Sequence, residues 1–235
     1  MRLKSFHVTN YRSVEDSGIV EADNLVCLVG KNEAGKTAIL QALTGLNPHP
    51  STPRTFDKET DYPRRYLQDY SSRHQDGEAV VITTIWEISQ EDRNVIAEEF
   101  GSEALATNEV KILRRYEASE PEWSLNLDYA AIVKHLLDDE KINATERKNL
   151  GTAISSDQLR KALEDTKEKS DRQQRLLDRI KKYPGKNARG FIESLLKSKL
   201  PHFMYFSHYD RMVGQIRVDN LEHRKSQGPK LESGE

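Results

Sequence analysis

Residues Gly30 to Thr37 read Gly-Lys-Asn-Glu-Ala-Gly-Lys-Thr and satisfy the pattern G-x-x-x-x-G-K-[ST]. The chemistry such a pattern performs is the cradling of phosphate. Gly30 and Gly35 permit backbone angles that turn successive N–H groups toward a single anion. A helix beginning near Gly35 adds its positive end at the same point. Lys36 is long enough to reach β- and γ-phosphates, and the Thr37 hydroxyl is suited to ligate Mg²⁺. Asn32, Glu33 and Ala34 within the loop and Ala38 just beyond it complete the set of expected cofactor-binding residues. The ligand expected here is a nucleotide with Mg²⁺.

The motif demands a strand before it and a helix after it. Asn24 to Gly30, NLVCLVG, is an unbroken apolar run of the kind expected for a strand buried on both faces. After the loop, TAILQALTGL places Ile39, Leu40 and Leu43 at helical spacing, with Gly45 and Pro48 ending the pattern. Upstream, LKSFHVTN and GIVEA read as two further short strands, separated by a turn at Asn10 to Ser13.

Downstream, the chain divides by composition. Residues 1–48 form the strand region and phosphate loop of the core. Residues 49–128 begin with an irregular Pro-, Ser- and Arg-rich connection. They continue as strand EAVVITTIWEIS, a helix from Ser89 to Gly101, and a β-hairpin with its turn near Glu120-Pro121. Residues 129–200 are expected to be a helical insertion. Its clearest element runs from the Ser155/Gln158 capping pattern to Pro184, with a middle, EDTKEKSDRQQR, too polar to be buried and expected to project. Residues 201–218 contain one more apolar strand, PHFMYFSHYD, and residues 219–235 form a polar tail expected to be disordered.

Composition limits the alternatives. The chain has 235 residues, 36% hydrophobic and 31% charged, as expected of a polar globular protein with room for a real core. Neither an apolar run near 18 residues nor a secretory h-region is present, so a cytoplasmic protein without membrane insertion is expected. The one cysteine, Cys27, lies in the apolar run, which argues against disulfides or a zinc site. A net charge of −2 gives no global attraction to nucleic acid. Locally, Arg160 to Arg189 carries eleven Lys/Arg against five Asp/Glu, which could track phosphates or form a mixed-charge solvated face.

The fold class expected is α/β, a P-loop NTPase with antiparallel and helical insertions. Motifs D-x-x-G and N-K-x-D are absent, which sets a small GTPase aside. LKSFHVTNYRSVED and GKNEAGKT together resemble the N-terminal lobe of ABC-type ATPases of the OLD/RecF/SMC-like group. ITTIWEISQEDRNVI and LPHFMYFSHYD are more loosely similar to OLD-type ATPases. The resemblance implies that the nucleotide is ATP, that Lys36 and Thr37 contact its phosphates and Mg²⁺, that Asn32 is a loop contact, and that Arg12 lies near the nucleotide. It also suggests Asp210 as a further Mg²⁺-side residue. The group completes its site with an acidic Walker B strand and a signature motif, neither of which is recognisable here. In VVITTIWE, Trp86 stands where the Walker B aspartate would, which leaves Glu87 a poor candidate for catalytic base. Hydrolysis is therefore expected only with a C-terminal half or a partner chain, in a homodimer or higher oligomer joined through ATPase heads. An effector protein or C-terminal nuclease domain is an implied partner, in DNA repair or anti-phage defence. The alternative is a non-hydrolysing nucleotide-dependent interaction module.

Overall fold

The computed structural model describes residues 1–31, 34–151 and 153–206. Its frame is one five-stranded antiparallel sheet in the order β2-β1-β3-β4-β5. Strand β1 (Arg2–Tyr11) turns at Arg12 and Ser13 into β2 (Val14–Glu21). The chain then makes the long excursion that carries the phosphate loop, α1 (Lys36–Leu46), and the short helices α2 (Lys58–Asp61) and α3 (Tyr70–Arg73). It returns as β3 (Val80–Glu87), which pairs with β1 in the register Phe6↔Thr84 and Val8↔Ile82. Helix α4 (Gln90–Phe100) follows, with the Ser89 side chain accepting from the Asp92 N–H and Gly101 (φ 91°) ending it. The expected hairpin is present as β4 (Leu105–Arg115) and β5 (Glu122–Leu127). It is continuous with the N-terminal strands, because β3 pairs with both β1 and β4.

Period-two alternation divides the sheet into a dry and a wet face. Phe6, Val8, Ile82, Thr84, Trp86, Val110, Ile112 and Trp123 are buried on one side. The opposite side is ruled by polar pairs such as Lys4–Glu109 and Arg115–Glu122. Helix α1 packs on β1 and β3. It does so through small residues: Ala38, Ala42 and Gly45 are buried, whereas Leu40 is exposed. Of the expected apolar stripe, Ile39 and Leu43 are half-buried against the core and only Leu40 turns outward.

The C-terminal half is helical, as expected, with α5 (Tyr129–Asp139), α6 (Ala144–Asn149), α7 (Ser156–Asp165), α8 (Asp171–Lys182) and α9 (Ala188–Lys197). The single long helix expected from Ser155 to Pro184 is instead two helices. The polar middle is where it breaks, and a second capping box, Ser170 with Gln173, starts α8. The pair does not project. Leu159, Leu163, Leu176, Leu177 and Ile180 are buried in the common core.

One expected strand is absent, and the described part of another is not a strand. Asn24 to Val29 lie outside the sheet, with Leu25 88% and Val29 89% exposed. Cys27 is accordingly exposed rather than buried. Near the C-terminus, Phe203 makes one isolated parallel bridge with Pro48, and residues 201–206 form no strand. The remainder of that expected strand and the polar tail lie outside the described residues, as does Asp210.

Candidate functional site

The phosphate loop opens onto the N-terminus of α1. Gly35 occupies the helix N-cap with φ 82°, ψ 6°, a left-handed conformation that glycine adopts without penalty. A Cβ at this position would lie 2.7 Å from Val14 Cγ2, so the loop also needs glycine for space. No side chain caps α1 and its first turn holds no acidic residue. The first-turn N–H groups are therefore left for an external acceptor, at the positive end of the helix.

Lys36 folds back across the loop. Its ammonium donates to the carbonyl oxygens of Gly30 at 2.7 Å and Lys31 at 2.5 Å. It pairs with no carboxylate among the described residues, so an incoming phosphate would not have to displace an ion pair. Thr37 is exposed beside it. Ala38 turns its methyl into the core, which leaves only its backbone to the site. Ala34 is exposed in the loop, its N–H donating to the Lys31 carbonyl at 3.1 Å. Asn32 and Glu33 lie outside the described residues. These features fit a nucleotide phosphate: a helix N-terminus, paired glycines and a cation with no carboxylate partner. Mg²⁺ would have Thr37 as its protein ligand here. No group of three or more His, Cys, Asp or Glu that could hold a metal occurs among the described residues.

The turn at Arg12 forms one wall of the loop, because Ser13 Oγ and Val14 Cγ2 are the atoms nearest the Gly35 position. Arg12 itself (φ 53°) is held in three ways. Its N–H donates to the Asp61 carbonyl at 2.6 Å, its Nε to Asp61 Oδ1 at 2.9 Å, and its Nη1 to Gln41 Oε1 at 2.5 Å. Gln41 is on α1, so Arg12 ties the loop's helix to the excursion that carries α2. Asp61 and Gln41 are the residues that sequence reasoning missed. The signal for them was slight, since neither belongs to a motif.

A ring cluster stiffens the same region. Tyr11, Phe56, Tyr62, Tyr70 and Tyr116 meet edge to face. Burial pushes the Tyr116 hydroxyl well above the usual phenol range, and it stays a donor to the Asn10 carbonyl at 2.7 Å. Tyr70 is raised by burial first and by its hydrogen bond to Glu78 second, and its oxygen accepts from the Ala79 N–H at 2.9 Å. The Tyr70 bonds fix the end of the excursion at the start of β3, and the Tyr116 bond ties the end of β4 to the end of β1.

Two other candidates from the sequence are Glu87 and the basic stretch. Glu87 ends β3 in a surface pair with Arg2 at 2.9 Å, away from the cradle's residues. Five of the eleven cations in the basic stretch pair with carboxylates among the described residues, Arg160 with Glu164 being one. Arg179 joins Glu99 and Asp139, Arg175 joins Glu140, Lys181 joins Glu164, and Arg189 joins Glu193. Arg179 thereby ties the segment to α4 and α5, whereas Lys161, Lys167, Lys182 and Lys186 pair with no carboxylate among the described residues.

A glycine-built anion cradle at the start of a helix, packed on a sheet, defines a P-loop nucleotide-binding domain. The model of the AAA ATPase domain family matches residues 1–229, and the chain belongs to that family. Members of this family generally bind ATP with Mg²⁺, which agrees with the loop's chemistry. Comparison with curated proteins gives no match. No helix among the described residues is long and apolar enough to cross a membrane.

Proposed function

We propose that the chain is the ATP-binding lobe of an OLD/RecF/SMC-like ABC-type ATPase, whose site is completed by a further segment or a partner chain. The observation that carries this reading is the apolar run from Leu25 to Val29. It leads directly into the cradle and stands exposed, a surface whose burial would be favourable at about 25 cal/mol per Å². In this reading Lys36 and the α1 N-terminus bind the phosphates, Thr37 holds Mg²⁺, and Arg12 braces the loop. A head-to-head homodimer then supplies the groups that activate water. ATP binding closes the dimer and controls an effector in DNA repair or anti-phage defence.

The experiment is a titration of Mg-ATP with a parallel turnover assay across chain concentrations. Binding that is lost in Lys36→Ala, with turnover per chain rising steeply as concentration increases, is the expected result. Binding without turnover at any concentration, or on adding nucleic acid, favours a nucleotide-dependent interaction module. Absence of binding removes the proposal.

A further inference from the structure

The other end of α1 holds a second feature, independent of the loop. Arg114 stands on the dry face of the sheet, opposite Ile82 in the register, where its neighbours Val110 and Ile112 are apolar. It is 6% exposed and has no carboxylate within 4 Å among the described residues. Its Nη1 donates to the Gly45 and Leu46 carbonyls at 2.8 and 3.4 Å and its Nη2 to the Ser119 and Ala118 carbonyls at 3.2 and 3.4 Å, while its Nε has no partner. Carbonyls at a helix C-terminus supply only partial negative charge, about half an elementary charge in sum. A buried guanidinium remains protonated and calls for a full counter-charge.

Arg114 lines an open cleft of about 420 Å³ together with Arg54, Lys197, Glu120, Trp123 and Pro53. Arg54 donates to the Tyr11 hydroxyl, lacks any carboxylate partner among the described residues, and has an unpartnered buried Nε. Lys197 pairs with Glu120 at 3.1 Å and Glu193 at 3.4 Å. Trp123 is 6% exposed, and its buried indole N–H has no acceptor. The cleft thus combines three cations against one lining carboxylate, with unsatisfied donors on three of its side chains. Burial lowers the Arg114 pKa, which an anion in the cleft would reverse.

We propose that this cleft binds an organic phosphate, its phosphoryl oxygens held by Arg54 beside the uncompensated charge of Arg114 and its body against proline and Trp123. A guanidinium matches phosphoryl geometry, a phosphate supplies the full counter-charge that the carbonyls around Arg114 do not, and the cleft volume lies within the range of small-molecule sites. Because Arg114 also grips the last turn of α1, occupancy is linked to the helix whose first turn forms the nucleotide cradle. Any such coupling acts in both directions.

The test uses the full chain carrying Lys36→Ala, which silences the loop. Adenosine 5′-monophosphate and inorganic phosphate are titrated while the Trp123 indole N–H is followed by NMR, with the Trp86 indole as internal control. Expected are saturable shifts at Trp123 alone and at least tenfold tighter binding of the monophosphate than of inorganic phosphate. Arg54→Glu should weaken that binding at least tenfold. Arg114→Ala would create a cavity in the dry face, so Lys197→Glu, at the cleft's rim, serves as the second variant and should weaken binding several-fold. Absence of binding, affinity unchanged by Arg54→Glu and Lys197→Glu, or equal affinity for the two ligands overturns the proposal. Since loop binding is measured with Lys36 intact, failure here leaves the reading of the loop untouched.

Discussion

Arg12 and Asp61 are joined twice, once by a backbone hydrogen bond of 2.6 Å and once through the guanidinium Nε at 2.9 Å. Asp61 is 5% exposed and Arg12 keeps nearly half its side chain in solvent. Breaking a fully buried pair costs about 3–5 kcal/mol, and the exposed arginine reduces that here. Arg12→Ala should therefore lower stability by about 1–3 kcal/mol in urea unfolding, and Arg12→Lys should recover only part of it, lacking the fork. Gln41→Ala, which removes an exposed contact, should stay within about 0.5 kcal/mol of the parent. Equal losses for the two alanine variants would contradict the assignment of Asp61 as the main partner.

Gly35 combines a left-handed conformation with a crowded Cβ position. Gly35→Ala should cost about 1–3 kcal/mol and impair Mg-ATP binding, measured by calorimetry. Adding Val14→Ala relieves the 2.7 Å contact but not the φ of 82°. Only partial recovery of stability is expected in the double variant. Full recovery would mean that space alone matters.

Gly45 is the opposite case, a helical residue at ordinary backbone angles. Alanine there would gain up to about 1 kcal/mol from helix propensity. A Cβ would, however, lie 2.3 Å from Phe56 Cζ, inside the ring cluster, and overpacking costs about 1–3 kcal/mol. Net destabilisation is expected in thermal unfolding. Gly45→Ala combined with Phe56→Leu should cost less than the two single effects added together.

His74 sits against Tyr62, with Nε2 and the phenol oxygen 3.0 Å apart. Burial first, and the charge of Arg73 second, hold its pKa below the ordinary histidine value of about 6.5. The unfolded chain therefore binds the proton more readily than the folded one. The contribution is complete above about pH 6.5 and is lost as pH falls through the folded value. Urea midpoints measured from pH 8 to 5 should decline below about 6.5, with a shallower decline in His74→Gln. An unchanged slope in that variant would assign the decline to other groups.

The elements that folded as read are those whose signals are local. Ser89 caps α4, Gly101 ends it, and alternation in β3 and β4 names the buried face, because each needs only neighbours in sequence. The phosphate loop is legible for the same reason, since its glycines, lysine and threonine act within eight positions. Apolarity alone misled at Leu25 to Val29: it records a demand for burial, not the partner that meets it. Overlooking Ser170 as a cap turned α7 and α8 into one helix. Asp61 was unreadable, because its role depends on a turn forty-nine positions away. Arg114 was likewise hidden in an alternating strand that looks apolar around it.

The pairing of β1 with β3 has a consequence for how the protein is born. During synthesis the ribosome releases β1, the glycine loop and α1 well before residues 80–87 emerge, yet α1 rests on β1 and β3 together. The nascent chain must therefore hold its phosphate loop against the first two strands alone until the returning strand leaves the exit tunnel. Vectorial synthesis thus orders the two events, with sheet closure first and a shaped cradle second.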